Sequence, residues 1–226
     1  MSLKEQIQNY MPYDEQEERD KTQFLNFIDK FDDVLTRDNI IGHFTASAFI
    51  INKSRNKMVV VHHNINDAWI HPGGHADGDE NLLSVAVKEA KEETALDIKV
   101  LDSNIFAIWS GPVKGHIESG KYVSSHLHFD VIYLMEADDS IPLIFNKDES
   151  NGIKWITFDE AQSASAWYLV RPIHKKLIKK LKDKWYDYKI VFVEDEIEEF
   201  EHIIDMYDNT LINMRYLTRM LKKIYF

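Results

Sequence analysis

A pair of glycines followed by a helix with three clustered carboxylates constrains this chain more than any other feature. Residues 81–94 are rich in Leu, Ala, Lys and Glu and contain neither Gly nor Pro, so they predict a helix. Side chains three and four positions apart share a helical face, which directs Glu89, Glu92 and Glu93 toward one point. Like charges so placed repel, and a bound divalent cation would resolve the repulsion. Oxygen ligands favour Mg²⁺, with Mn²⁺ as the alternative.

The residues before this helix bear on whether its carboxylates bind a metal. Helices that mix Glu and Lys are most often only solvated faces, and for the helix taken alone that interpretation stays open. Gly73 and Gly74, however, permit unusual dihedrals and a close approach of the backbone, and Glu80 lies at the expected helix entrance. This combination favours a metal site.

Charge and cysteine content exclude several classes of function. The chain has no Cys, which excludes disulfides, thiolate zinc sites and cysteine nucleophiles. A formal net charge of −11 disfavours nonspecific binding to nucleic acid or to an anionic membrane. No segment approaches the roughly 18 to 20 apolar residues that span a bilayer, and the first residues do not resemble a secretion signal. A cytoplasmic location is therefore the expectation.

Periodicity predicts a mixed α and β organisation. An amphipathic N-terminal helix is expected at 21–35, and helical structure that is broken or kinked at Pro172 is expected at 159–184. Loops are expected at 111–120 and 140–152. Strands are expected at 44–51 and 57–61, joined as a hairpin, and at 98–109, 122–135 and 153–158.

The segment from Gly74 to Leu96 resembles the Nudix box, the signature of the Nudix hydrolase family. Lys88 stands where the family has arginine, and Ala95 stands where it has glycine. Residues 69–75 and 149–155 also resemble segments of these domains, so the resemblance covers most of 40–165. The positions that match the box at the required spacing are Gly74, Glu80, Glu89, Ala90, Glu92, Glu93 and Leu96.

The resemblance implies an α/β fold, the Nudix-type α/β/α sandwich around a mixed sheet. The Nudix hydrolase domain is expected at 41–184. An N-terminal helical extension is expected at 1–40 and a C-terminal helical extension at 185–226. The implied activity is metal-dependent hydrolysis of the pyrophosphate bond of a nucleoside diphosphate linked to another moiety. Pro112 resembles a proline of ADP-ribose-cleaving relatives and favours ADP-ribose or a similar nucleotide sugar, although a loop-starting proline is an equally good explanation.

The resemblance also implies roles for individual residues. The expected metal ligands are Gly74, through its carbonyl, and Glu80, Glu89, Glu92 and Glu93. The expected catalytic residues are Glu92, Glu93 and Glu149. Relatives place the general base either in the box or on a later loop, and we favour Glu149 over Glu93, because a carboxylate beside a cation is a weak proton acceptor.

Histidine offers a competing metal hypothesis. His126, His128 and Asp130 share one face of a predicted strand, and His71 and His75 flank the glycines. We favour the alternative that such histidines line the substrate cleft or pair within the sheet. Aromatic side chains could stack on a base, although in a sheet they are more often core. The expected substrate-binding residues are Trp69, His75, Trp109, His126 and His128.

Two rival functions and one assembly follow from the same residues. The same resemblance also covers a second enzyme class, isopentenyl diphosphate isomerase, but the usual catalytic cysteine of that enzyme has no counterpart in this chain. A noncatalytic nucleotide sensor or regulator would use the basic stretch at 175–184 to bind DNA, although such a helix face is usually only solvated.

An apolar stripe at 197–224 predicts a C-terminal helix that packs on its own domain or forms a homodimer interface. The expected partner is a small-molecule nucleoside diphosphate derivative, with no specific nucleic acid and no membrane.

Overall fold

The computed structural model describes residues 1–64, 67–118, 120–145, 150–163 and 170–194, with side chains described up to 184 in the last of these ranges. The chain divides into two compact units, Met1–Lys179 and Lys180–Phe226. The predicted C-terminal stripe at 197–224 and the homodimer that rests on it lie outside the described residues. Within the described ranges, no helix is long and apolar enough to cross a membrane.

An eight-stranded mixed sheet is the centre of the first unit. Its strands are β1 (Gly42–Asn52), β2 (Lys57–His63), β3 (Ala68–Ile70), β4 (Gly73–His75), β5 (Lys99–Val100), β6 (Ala107–Val113), β9 (His126–Ala137) and β10 (Ser150–Thr157). The main order is β10-β2-β1-β9-β5, with β3 beside β2, β4 beside β1 and β6 beside β9. The β1–β9 pair is parallel and the other described pairs of this sheet are antiparallel. This sheet, with helices packed on it, confirms the predicted α/β class and the Nudix-type sandwich.

The central strands explain the most apolar part of the sequence. Every residue of β1 is buried, because the strand has neighbours on both edges and is covered on both faces. A strand in this position needs apolar residues in succession rather than in alternation, as in Phe49, Ile50 and Ile51. The antiparallel pairing of Ile51 with Met58 confirms the predicted hairpin.

Two of the predicted strands are wrong in their extent. The strand expected at 98–109 is two strands, β5 and β6, because Asp102 turns the chain by accepting the backbone N–H of Asn104 at 2.9 Å. The strand expected at 122–135 is likewise divided into β8 (Lys121–Val123) and β9. The loop expected at 111–120 contains the end of β6 and β7 (His116–Glu118), which pairs with β8 as a separate two-stranded sheet.

The N-terminal helix is also wrong in its extent, since two helices precede the sheet. They are α1 (Leu3–Asn9) and α2 (Glu15–Ile28), which begin at the capping side chains of Ser2 and Asp14. Phe31 and Leu35 follow the helical period but lie beyond α2, partly buried against the core. The periodicity therefore identified residues that pack inward, and only some of them are helical.

The N-terminal helices contribute directly to the core of the first unit. The fully buried ring of Phe24 packs edge-on against Phe44 and Phe129, at centroid distances of 5.3 and 5.2 Å. Glu17 in α2 is also buried and forms an ion pair with Lys176 at 3.0 Å. Lys176, a member of the predicted basic stretch, thus points into the protein rather than toward a nucleic acid.

The helical structure predicted at 159–184 is present as two helices, but the predicted break or kink at Pro172 is wrong. The two helices are α4 (Phe158–Ser163) and α5 (Val170–Glu194), and the residues between them lie outside the described ranges. Pro172 lies in the first turn of α5, where a helix has no use for the N–H donor that proline lacks. The proline therefore belongs to a helix start and does not kink the helix.

The predicted carboxylate helix is present as α3 (Leu82–Thr94), which begins at the N-cap Asn81. Its C-cap is Ala95, which adopts the left-handed conformation with φ 55° and ψ 19°. In that conformation Cβ crowds the following carbonyl, and glycine is the residue that avoids the strain. The departure from the box at position 95 therefore has an energetic cost, and it leaves the helix end in place.

We expect Ala95→Gly to stabilise the folded protein by about 1 kcal/mol, because it removes the left-handed strain and leaves the cap hydrogen bond from residue 95 to the carbonyl of Lys91. Urea denaturation measures the change. Lys91→Gly, on an exposed position of the same helix, is the control and should destabilise by about 1 kcal/mol. Equal losses of stability in both variants would contradict the strained cap.

Candidate active site

An open cleft of about 680 Å³ lies where β1, β4, α3, β6 and β9 meet. Its lining is rich in ionisable side chains of predominantly negative charge. Two cationic residues, Arg37 and Lys88, face six carboxylates and several histidines. The carboxylates are Asp77, Glu89, Glu92, Glu93, Glu118 and Asp130. Without a bound cation, such a cleft repels a polyanionic ligand.

The glycine pair places the backbone against the carboxylates of α3. The N–H of Gly73 donates to Oε2 of Glu93 at 2.9 Å, and Glu93 is only 8% exposed. A Cβ on Gly74 would lie 2.4 Å from Cδ of Glu89, so any other residue at 74 would displace the Glu89 carboxylate from this position. The two glycines therefore allow Glu89 and Glu93, two of the three α3 carboxylates, to lie against the backbone.

Lys88 takes part of the role expected of the family arginine. Its Nζ lies 3.6 Å from Oε1 of Glu89 and 3.4 Å from Oε2 of Glu92. The charges of Glu89 and then Glu92 raise the pKa of Lys88 above its usual value. Its side chain is 64% exposed, so solvent screens these pairs. A single ammonium also cannot make the two parallel hydrogen bonds of a guanidinium, which leaves the carboxylates less firmly oriented.

The predicted metal ligands fall into two groups. Gly74, Glu89, Glu92 and Glu93 line the cleft together. Glu80 is exposed, precedes the N-cap of α3, and does not line the cleft. The oxygen donors in this lining and the close approach of Gly74 to Glu89 fit a hard divalent cation. Glu149 lies outside the described residues, so its role as a base stays a prediction.

The predicted substrate-binding residues also divide. Trp109, His75, His126 and His128 line the cleft. Trp69 does not line it, because β3 turns the indole toward His62, 5.0 Å away in an edge-on contact, and Lys154 covers its ring at 4.0 Å. The structure therefore retains one of the two tryptophans as a candidate for base stacking.

Asp130 is the centre of a buried polar network at the cleft. Its Oδ1 accepts hydrogen bonds from Thr45 Oγ1 and Ser47 Oγ, both at 2.8 Å, and its Oδ2 lies 3.3 Å from Nε2 of His71. The network continues from His71 to His174 at 3.5 Å, and burial lowers the pKa of His174 to about 3. Asp130 is thus engaged by hydroxyl groups and His71. Thr45 and Ser47 were missed in the sequence, since only the register of β1 with β9 brings them to Asp130.

Arg37 and Asp77 form a second arrangement that the sequence did not reveal. Nε and Nη2 of Arg37 each lie 2.8 Å from an oxygen of Asp77, a bidentate pair. The guanidinium lowers the pKa of Asp77, and Asp77 raises that of Arg37. Because Arg37 is paired in this way, the cleft has little free positive charge to offer a substrate.

Comparison with known proteins connects this geometry to a family. The NUDIX domain family model matches residues 42–181, which is more than half of the chain. No curated protein matches the sequence.

Solved structures provide more distant likenesses. A NUDIX family hydrolase from Clostridium perfringens is 20% identical with a TM-score of 0.48, over 62% of this chain and 97% of that one. An Ap4A hydrolase from C. elegans is 15% identical with a TM-score of 0.47, over 64% and 98%. An ADP-ribose pyrophosphatase from Streptococcus suis is 20% identical with a TM-score of 0.43, over 62% and 90%.

Proposed function

This chain belongs to the NUDIX family and is a Nudix-type pyrophosphohydrolase by class, and we propose its substrate class from that premise. The proposed reaction is cleavage of the pyrophosphate bond of a nucleoside diphosphate linked to another moiety. The observation that carries the proposal is the position of Glu93 and Glu89 against the backbone of Gly73 and Gly74, with Glu92 beside them in the lining of an acidic cleft. A cleft of this charge binds a pyrophosphate when a divalent cation lies between them.

The ligands of that cation are Glu89, Glu92 and Glu93, with the carbonyl of Gly74. Mg²⁺ is the expected ion and Mn²⁺ the alternative, because all these donors are oxygens. When bound, the ion neutralises phosphate oxygens and lowers the pKa of a bound water. Glu80 is left out of this set because it does not line the cleft.

The chain's own residues orient the reactants. The hydrogen bond from Gly73 holds Glu93 in one position, and Lys88 spans Glu89 and Glu92. Because Glu93 is already engaged by a backbone donor beside a cation site, it is better suited to bind the ion than to accept a proton. We assign the proton of the attacking water to Glu149, with Glu93 as the alternative base.

The substrate class we favour is ADP-ribose or a similar nucleotide sugar. This preference rests on Pro112, and the position of Pro112 in the structure supports the preference. The residue lies in β6 opposite Leu127 and lines the cleft, so it is not the start of a loop. Trp109 lines the cleft from the same strand and offers an aromatic surface to a base.

The test is a comparison of kcat/KM for ADP-ribose, ADP-glucose, ATP and dGTP with Mg²⁺, with AMP as the control that has no pyrophosphate bond. We expect the two sugar-linked diphosphates to exceed the triphosphates by about tenfold or more. Triphosphates hydrolysed more efficiently than ADP-ribose would reject the preference. Nucleotide binding without turnover of any compound would reject the proposed hydrolysis itself.

A further inference from the structure

Four histidines from three strands meet in the cleft, and the carboxylate site does not account for them. The register of the sheet brings them together, since His43 of β1 pairs with His128 of β9 and Thr45 of β1 pairs with His75 of β4. His126 lies on the same face of β9, two residues before His128. The ring of His43 lies 4.9 Å from each of the other three rings, measured between centroids.

The ring nitrogens in this cluster converge too closely to satisfy one another. Nε2 of His128 lies 3.3 Å from Nε2 of His75 and also 3.3 Å from Nε2 of His126. One imidazole nitrogen has either one proton or one lone pair, so it makes a good hydrogen bond to only one of these neighbours. A spacing of roughly 3.3 Å is, however, the separation of two ligands on a tetrahedral metal with bonds of about 2.0–2.1 Å.

The hydrogen bond of His126 determines the direction of its lone pair. Its Nδ1 lies 2.8 Å from the carbonyl oxygen of Ser124, which can only accept, so Nδ1 carries the proton. The lone pair of the neutral ring is then on Nε2, which faces His128. Donation from the distal ring nitrogen to a backbone carbonyl is the arrangement that orients metal-binding histidines.

His43 provides an independent observation that points to a ligand. The residue is 4% exposed, and within the described part of the chain neither of its ring nitrogens makes a hydrogen bond of good geometry, although the backbone of Asn39 lies close enough to raise its pKa. A buried polar group without a good hydrogen bond destabilises the folded state, and coordination of a metal by one nitrogen would relieve this.

Burial lowers the pKa of three of these rings, which favours the neutral form that binds metals. Burial, followed by the charge of His126, lowers the pKa of His43 to about 4. Burial, followed by the charge of Arg37, lowers the pKa of His75 to about 3. Burial also lowers the pKa of His128 well below its usual value.

We propose that His43, His75 and His128 bind a divalent transition-metal ion of the zinc class through imidazole nitrogens, without the carboxylates of α3 as ligands. One nitrogen of each ring lies within 4.8 Å of the other two. Nitrogen ligands select Zn²⁺, Co²⁺ or Cu²⁺ over Mg²⁺. Three imidazoles leave a fourth position for His126, water or a substrate oxygen.

The first test is a titration of metal-free full-length protein with Co²⁺, followed by absorbance in the visible, and with Zn²⁺, followed by calorimetry. We expect one ion per chain with the intense bands of tetrahedral Co²⁺. His75→Gln and His128→Gln should each weaken Zn²⁺ binding about tenfold or more. The matched control is His62→Gln, on β2 and outside the cleft lining, which should bind like wild type.

A carboxylate variant separates this site from the one proposed for hydrolysis. Glu89→Gln/Glu93→Gln should keep the Co²⁺ bands although it loses turnover. Bands that disappear in this variant and persist in His75→Gln and His128→Gln would overturn the imidazole site.

A measurement on wild type alone keeps the test valid if a histidine variant unfolds. X-ray absorption of the Zn²⁺-loaded protein should show imidazole scatterers at about 2.0–2.1 Å. A shell of oxygen ligands without imidazole would overturn the proposal.

Discussion

Glu93→Gln is expected to lower kcat/KM about a thousandfold, or about 4 kcal/mol in transition-state stabilisation. The amide keeps the size of the side chain and can still accept the hydrogen bond from Gly73, so the fold is preserved. What is lost is a negative charge among the oxygen ligands, and with it affinity for the divalent cation. Glu89→Gln and Glu92→Gln are also expected to lower kcat/KM.

The experiment compares turnover and Mg²⁺ affinity for wild type and each variant. Glu136→Gln is the matched control, because Glu136 lies on β9, pairs with Lys99 at 3.6 Å and does not line the cleft. It should retain wild-type values. If Glu92→Gln and Glu93→Gln also retained wild-type turnover and metal affinity, the assignment of the cation site would be wrong.

Glu149→Gln should lower kcat at saturating substrate and Mg²⁺ by about a hundredfold to ten-thousandfold, the usual loss when a general base is removed. Unlike the variants of α3, it should leave the affinity for Mg²⁺ unchanged, because Glu149 is not among the proposed ligands. The reason for preferring Glu149 is the hydrogen bond that holds Glu93 against Gly73, beside the cation site.

Together, kcat and the affinity for Mg²⁺ show whether Glu149 or Glu93 is the general base. A fall in kcat with unchanged Mg²⁺ affinity supports Glu149. A near wild-type kcat for Glu149→Gln excludes it as the essential base and returns the role to Glu93.

Local patterns in the sequence were sufficient to predict the helix α3 and the hairpin of β1 and β2. Residues 81–94 correspond to α3 and its N-cap, because helix propensity and capping depend on near neighbours. The hairpin of β1 and β2 was equally accessible, since a short polar turn joins two β-rich runs. The three carboxylates could be placed at one cleft for the same reason.

The histidine cluster and the Asp130 network could not be placed from the sequence. Both depend on the parallel pairing of β1 with β9, which joins His43 to His128 and Thr45 to Asp130 across 85 positions. A strand pattern gives the face of each residue and leaves its partner strand undetermined. Local signals also failed to predict the pair of β7 and β8, because β7 lies in a segment expected to be a loop and β8 overlaps the start of a longer predicted strand.

Hydrolysis of ADP-ribose in oxygen-18 water, followed by mass spectrometry of the products, tests the central claim most directly. The account predicts turnover that requires a divalent cation, is abolished by EDTA, and places one labelled oxygen on the phosphate of one product, because water attacks phosphorus. Binding of ADP-ribose and other nucleotides with no cation-dependent turnover would contradict it and would instead indicate a nucleotide sensor.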